Sequence, residues 1–357
     1  MKIAFRTDAS IQIGTGHFMR CLAFAEELKK NHEIKILFIC QNLPFFLKEM
    51  LSSRGIELKL LKTNSIKGSL DELVHSKWLD NTQANDAQLT LHVLANKSYD
   101  WIVVDHYALD KRWESAVRLS CSKLMVLDDL ADRHHDCDVL LDQNFYPDME
   151  SRYRGKVPSD CQLLIGPSFA LLREEFRKQR DLIKPRIGEV KKILVFFGGV
   201  DAYNYTGLAL KALVKLNVKQ HVDVVIGVQH PYSAQIQQMC EKNNFLCHVQ
   251  TSRMSELMAA SDLAIGAGGS ASWERCCLGL PALILATADN QIEIAKALDS
   301  INVCSYVRTK NNRDLIAIHN SIKHLLNAPS QINKLSNESF MLVDGKGVSR
   351  VSKELGF

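Results

Sequence analysis

Apolar residues fall in short runs at 3–5, 34–40, 101–104, 124–127 and 139–141, separated by segments long enough to hold helices. After the first run, Phe18, Cys21, Leu22, Ala25 and Leu28 recur at helical spacing, the mark of a helix with one buried face. Strands alternating with helices predict a mainly parallel sheet, so the first half of the chain reads as α/β. A charged stretch at 173–192, with Pro185, Gly188 and few large apolar residues after Ile183, reads as a helix end followed by a linker. The pattern then restarts, and runs at 193–197, 224–226, 263–265 and 282–285 predict a second α/β unit. The expected domains are 1–180 and 190–340. A tail at 341–357 is expected to form a short helix after Gly345 and Gly347 and to pack back on the first domain. No repeat relates the two halves.

Composition supports two ordinary cores and removes several classes of function. The 357 residues are 46% hydrophobic and 24% charged, more than one compact core usually absorbs. Lys and Arg number 44 against 40 Asp and Glu, a formal charge of +4, which gives no reason to expect a nucleic-acid partner. No apolar run approaches the roughly 18 to 20 residues that span a bilayer, and the chain opens MKIAFRTD instead of a signal peptide. A cytoplasmic protein without stable membrane association is expected. Ten cysteines lie along the chain without a CxxC pair, so they read as reduced, mostly buried fillers and not as a zinc site.

In open parallel sheets ligands bind beyond the carboxyl ends of the strands, which directs attention to the turns that follow them. Gly266, Gly268, Gly269, Ser270 and Ser272 crowd the turn after the 263–265 strand and lead into Trp273-Glu274. Glycines let backbone N–H groups approach an anion, and a helix start adds partial positive charge, so a diphosphate suits this loop. Glu274 stands where a carboxylate can accept bonds from ribose hydroxyls. The spacing is neither GxGxxG nor GxxxxGK[ST], which argues against a dinucleotide site and an ATP-hydrolysing loop; packing glycines are the plainer alternative.

A second turn, Gly14-Thr15-Gly16-His17, places a histidine at the mouth of the first helix, with Arg20 one turn on as a structural partner or a ligand contact. A third, Gly198-Gly199-Val200-Asp201, reads either as a further ligand loop or as a strand-to-helix bend that Asp201 caps. Asp289 reads as an N-cap, and the amides of Asn290 and Gln291 suit a sugar or a base. Asp105-His106-Tyr107 and Asp128-Asp129 end strands of the first sheet, placing acidic and aromatic groups on one edge. Paired aspartates can bind a metal, but no further ligand stands at convincing spacing, so no metal site is expected; His134 and His135 read as solvated loop residues.

Together the blocks FRTDASIQIGTGHFMRCL, VVDHYALD, LDDLADRHHDCDVLLDQN, GPSFALLREEF, FFGGVDAYN, GAGGSASWERCCLGLP and ADNQ resemble the UDP-sugar hydrolases of pseudaminic acid biosynthesis. The blocks run in order from residue 1 to about residue 291. That family is similar in fold to the GT-B glycosyltransferases, so the resemblance implies two Rossmann-like domains facing a cleft. It implies UDP on the second domain, with Gly268, Gly269 and Ser270 near the diphosphate, Glu274 near the ribose, and Asn290 and Gln291 near the nucleotide sugar. Gly199 joins the expected binding set. From the first domain it implies Gly14, Gly16 and His17 at the reacting end and Tyr107 as a wall of the sugar pocket. The reaction implied is hydrolysis of the anomeric C–O bond of UDP-2,4-diacetamido-2,4,6-trideoxy-β-L-altropyranose, with His17 as general base and without metal or cofactor.

Two other readings use the same features. A GT-B glycosyltransferase would take the same UDP-sugar to an acceptor, and Phe45-Phe46-Leu47-Lys48 is a short candidate for a membrane-facing loop, although such residues in a helix more often enter the core. A nucleotide-sugar sensor would need the loops but not His17.

Overall fold

The computed structural model describes residues 1–30, 33–62, 71–95, 98–307 and 314–357. The chain divides into two compact units, one comprising 1–144, 148–171 and 348–357, the other 145–147 and 172–347.

In the first unit β1 (Lys2–Thr7) leads to α1 (Gly16–Leu28), β2 (Lys35–Cys40), α2 (Phe45–Ser53) and β3 (Glu57–Leu60). A 3₁₀ turn at Ser76–Trp78 precedes α3 (Gln83–Leu94), β4 (Tyr99–Asp105), α4 (Lys111–Val117), β5 (Cys121–Leu127), β6 (Val139–Asp142) and β7 (Gln162–Ile165). The sheet runs β3-β2-β1-β4-β5-β6-β7 with every neighbouring pair parallel. Helices cover both faces, so alternate residues of a strand enter different cores. Phe5, Phe38 and Val103 pack with α1 on one side, and Ala4, Leu37, Ile102 and Val104 pack with Trp113 of α4 on the other. On the second face the fully buried Arg6 donates from Nε and Nη2 to Asp86, at 3.1 and 2.6 Å, and Trp113 Nε1 donates to the same carboxylate at 2.8 Å.

The second unit begins with α5 (Glu174–Arg180), then β8 (Lys192–Phe196), α6 (Tyr205–Lys215), β9 (His221–Ile226), α7 (Ser233–Lys242), β10 (Leu246–Val249), α8 (Met254–Ala259), β11 (Leu263–Ala267) and α9 (Ala271–Cys277). It continues through β12 (Ala282–Leu285), α10 (Asn290–Ser300), β13 (Ser305–Tyr306), α11 (Leu315–Leu326) and α12 (Pro329–Leu342). Its sheet runs β10-β9-β8-β11-β12-β13, again parallel throughout. The expected boundary near residue 180 lies instead between Leu171 and Leu172. The reason is that α5 packs with this unit: Arg180 donates to the carbonyls of Cys277 at 2.6 Å and Phe340 at 2.8 Å. The segment after it is pinned by buried Arg186, which donates to the carbonyls of Met258, Ala259, Ser261 and Leu278 at the ends of α8 and α9.

The chain ends with α13 (Gly347–Glu354), whose Val348 and Val351, with Leu355, join the α1 core of the first unit. Ser349 donates to Glu27 at 2.9 Å and Arg350 to the Ser168 carbonyl at 2.7 Å. The β5–β6 connection, residues 128–138, forms no helix. Buried charge fills that space, and His135 belongs to it. Expected as a solvated loop residue, His135 is 2% exposed, with Nδ1 at 2.7 Å from Glu114 and Nε2 at 3.7 Å from Asp128. His134 is exposed.

Candidate functional site

Each sheet reverses its winding direction at one place, between β1 and β4 in the first unit and between β8 and β11 in the second. Helices leave these strand pairs in opposite directions and open a crevice at the carboxyl ends, where such sheets bind ligands. The three glycine turns singled out in the sequence lie at these two places, whereas Asp128-Asp129 follows β5 and Asp289 follows β12.

In the first unit, Gly14 adopts φ +78° and donates its N–H to the Ser10 carbonyl at 2.8 Å, turning the chain into α1. Gly16 begins that helix and His17 follows in its first turn. His17 Nδ1 lies 2.6 Å from Oδ1 of Asp105, the last residue of β4, which stands opposite Thr7 of β1. Arg20, one turn further along α1, grips the same carboxylate through Nε at 2.6 Å and Nη2 at 2.7 Å and reaches Asp129 through Nη1 at 3.0 Å. Expected as a structural partner or a ligand contact, Arg20 is buried and committed to these two carboxylates.

Asp105 is fully buried, which alone raises its carboxyl, but Arg20 and then His17 reverse this and hold it well below the usual carboxylate range. An ionised Asp105 only accepts, so the proton of neutral His17 belongs on Nδ1 and Nε2 is left as the ring's acceptor. The ring keeps 11% of its surface exposed. Tyr107 meets it edge-on with centroids 4.5 Å apart and donates its hydroxyl to Asp129. Trp78 stacks on Tyr107 at 5.3 Å and stands 5.8 Å from His17, while His75 lies 4.5 Å from Trp78. The aspartates of the Asp128-Asp129 pair face different partners, Arg133 at 2.7 Å for Asp128 and Arg20 with Tyr107 for Asp129.

In the second unit, Gly198 adopts φ +97° after β8. Asp201 accepts from the N–H groups of Tyr205 at 2.9 Å and Thr206 at 2.7 Å, so this turn contains the helix cap allowed for in the sequence. Gly199 is pressed against the neighbouring turn, since a Cβ at Gly227 would lie 2.0 Å from its carbonyl oxygen. At the end of β11, Gly269 takes φ +95°, and Gly268 lies so near Gln291 that a Cβ on it would be 3.3 Å from that side chain. Gln291 Oε1 accepts from the Thr287 N–H at 3.0 Å and hydroxyl at 3.1 Å. The structure thus brings Gly268, Gly269 and Gln291 together, with exposed Ser270 at the entry to α9. The side chain of Asn290 lies outside the described residues. Glu274 is 19% exposed and lies 3.3 Å from Arg173; burial pushes its carboxyl up and Arg173 pulls it down.

Sequence reasoning assigned no role to Asp105, Asp129, Trp78, His75 or Arg275. The DHY block marked Asp105 as a strand end, but its pairing with His17 arises only because β1 and β4 are neighbours. Arg275 carries no sequence signal beyond its place after Glu274.

Residues 192–354 match the glycosyltransferase family 28 C-terminal domain. Over 268 residues, 74% of this chain and 84% of the relative, the chain is 26% identical to the UDP-2,4-diacetamido-2,4,6-trideoxy-β-L-altropyranose hydrolase of Campylobacter jejuni. It is 22% identical to the spore coat polysaccharide biosynthesis protein SpsG of Bacillus subtilis over 99% of this chain and 97% of that one. An uncharacterised protein of Methanocaldococcus jannaschii is 24% identical over 80% of this chain, which spans only 55% of that longer relative. Among solved structures, Acinetobacter baumannii MurG has a TM-score of 0.64 at 13% identity, covering 99% of this chain and 98% of that one. UDP-GlcNAc 2-epimerase from Neisseria meningitidis bound to UDP-GlcNAc gives 0.64 at 14%, covering 99% of each chain. Phytolacca americana UGT2 complexed with UDP-2fluoro-glucose and pterostilbene gives 0.69 at 11%, covering 99% and 98%. The chain resembles the Campylobacter hydrolase in sequence and has the GT-B fold, two Rossmann-like units each built on a parallel sheet.

Proposed function

We propose that this protein is a nucleotide-sugar hydrolase that cleaves the anomeric C–O bond of UDP-2,4-diacetamido-2,4,6-trideoxy-β-L-altropyranose, releasing UDP and the free sugar. The observation that carries the reading is the His17–Asp105 pair, a partly exposed imidazole whose Nδ1 lies 2.6 Å from a buried carboxylate. In this mechanism Nε2 of neutral His17 takes a proton from water as the water oxygen bonds to the anomeric carbon. The electrons of the breaking C–O bond leave with UDP, a good leaving group that needs no strong general acid. Asp105 stabilises the imidazolium that forms, and Arg20 with Asp129 holds Asp105 and Tyr107 in place. Half-buried Trp78 offers an aromatic face to the sugar, and Tyr107, expected as a wall of the sugar pocket, is buried and stacks behind it.

The second unit holds the nucleotide in this reading. Backbone N–H groups at Gly268, Gly269 and Ser270 meet the diphosphate, Glu274 takes the ribose hydroxyls, and Gly199, Asn290 and Gln291 complete the set. The family 28 match over residues 192–354 favours a second reading, a transferase that delivers the same sugar to an acceptor.

The deciding experiment incubates the protein with that UDP-sugar in ¹⁸O water, without acceptor and with chelator present, and follows the products by mass spectrometry. UDP release with the label in the sugar is expected. Label in UDP would mean attack on phosphorus and overturn the mechanism. Turnover only after chelated metal is restored would overturn its metal independence, and turnover only with an added acceptor would establish the transferase.

A further inference from the structure

Arg275 lies in α9, directly after the glycine loop, and is 3% exposed. Its Nη2 donates to the Ala267 carbonyl at 2.7 Å and to Ser272 Oγ at 3.0 Å. Of the chain's other buried arginines, three form ion pairs and one, like Arg275, donates to carbonyls with no carboxylate beside it among the described residues. Arg6, Arg20 and Arg133 are paired with aspartates, and Arg186 is surrounded by helix-end carbonyls. No carboxylate lies within ion-pair distance of Arg275 among the described residues, and adjacent Glu274 faces Arg173 instead. Burial lowers its affinity for the proton, and the carboxylates of the fold offset little of that cost.

The geometry of the Ala267 contact has a directional consequence. In a trans peptide the C=O and the following N–H point to opposite sides. With the Ala267 carbonyl held by the guanidinium, the Gly268 N–H points away from Arg275. We propose that Arg275 is a positioning residue for the nucleotide diphosphate, aiming the Gly268 N–H and lending the loop a positive charge that the anion itself neutralises. This rests on the reading that Gly268–Ser270 receives the diphosphate of UDP.

The test uses the full chain and compares affinity for UDP with affinity for uridine, which shares the base and ribose but has no phosphate. The wild type is expected to prefer UDP strongly. Arg275→Gln removes the charge and should weaken UDP binding about tenfold or more while leaving uridine within about twofold, as expected for loss of a charge-dependent term in a poorly solvated site. Arg275→Lys keeps the charge and should hold the UDP-to-uridine ratio within about threefold of the wild type. Equal weakening of UDP and uridine by Arg275→Gln would show a merely structural role, and an unchanged UDP affinity would show none; either overturns the proposal. If Arg275→Gln fails to fold by thermal unfolding, Arg275→Lys decides, because collapse of the ratio with the charge retained would overturn it. A wild type that binds UDP no better than uridine would instead overturn the diphosphate reading beneath it.

Discussion

Replacing Asp105 by Asn tests the first-unit chemistry with almost no change in shape. The substitution removes the charge 2.6 Å from His17 Nδ1 and turns an obligate acceptor into a group that can offer an N–H to that nitrogen. Nδ1 then becomes the acceptor, the proton moves to Nε2, and the base is blocked at the atom that must receive the water proton. The lost attraction for the imidazolium adds to this, since unit charges about 4 Å apart interact by about 4 kcal/mol at an effective dielectric near 20. Part of that attraction already acts on the neutral ring as a hydrogen bond, so a fall in kcat of about 10²- to 10⁴-fold is expected, equivalent to roughly 3–5 kcal/mol. Affinity for UDP should change little.

Asp105 also anchors Arg20 through two bonds, so Asp105→Asn should lower stability by several kcal/mol, on the order of the 3–5 expected when one partner of a buried ion pair is removed. The assay therefore needs three readings on the same preparation: kcat from UDP release, UDP affinity by calorimetry, and the urea midpoint. Activity is measured at low temperature, where the variant remains folded. A folded Asp105→Asn protein with kcat within about threefold of wild type would refute the role of the dyad, because that is under 1 kcal/mol of transition-state stabilisation.

Three further outcomes follow from separate parts of the structure. Gly266→Ala should destabilise the second unit by more than about 3 kcal/mol, because its Cβ would lie 2.3 Å from the Phe196 carbonyl oxygen where β8 and β11 pair; an unchanged urea midpoint would refute the close approach. Glu274→Ala should weaken UDP binding by about 1–3 kcal/mol in calorimetry, and unchanged affinity would remove Glu274 from the ribose site. In the folded chain, burial lowers the His135 pKa, but Glu114 and Asp128 outweigh it and raise the value to about 9 from an ordinary 6.5. The raised value stabilises the fold below the unfolded pKa and the contribution is lost as pH rises through about 9. Urea midpoints should therefore fall between about pH 6.5 and 9 in the wild type and fall less in His135→Gln, and parallel curves would sink the assignment.

The elements most legible in the sequence were those buried on both faces. Central strands such as β4 and β11 appear as continuous apolar runs because helices cover each side of the sheet. The edge strands β3 and β10 are short and mostly half-buried or exposed, so their residues carry no comparable run. The β5–β6 connection reads in the sequence as a loop with solvated histidines, but its Arg133 and His135 turn inward to Asp128 and Glu114, a charged packing with no periodic signature. Turn chemistry was legible where glycines clustered between a strand and the helix that follows it. The partnership of His17 with Asp105 spans 88 residues and depends on strand order, which local pattern does not encode. Trp78 ends the three-residue 3₁₀ turn that His75 precedes, a piece too short for its periodicity to hint at what an aromatic residue faces.

The two crevices solve opposite electrostatic problems with the same residue type. Around His17, Arg20 is shared between two carboxylates, Asp105 and Asp129, and in the proposed mechanism Asp105 stabilises the imidazolium that forms. Beneath Gly268, Arg275 has no carboxylate partner among the described residues, leaving a net positive surround suited to a ligand that arrives negative. Loss of the Arg20 charge would leave Asp105 and Asp129 buried without their shared partner, and loss of the Arg275 charge would leave the loop only its backbone dipoles with which to hold a diphosphate. The proposed division of labour, proton transfer in the first unit and nucleotide binding in the second, therefore has an electrostatic counterpart in how Arg20 and Arg275 are partnered, beside the His17–Asp105 pair and the glycine loop on which it rests.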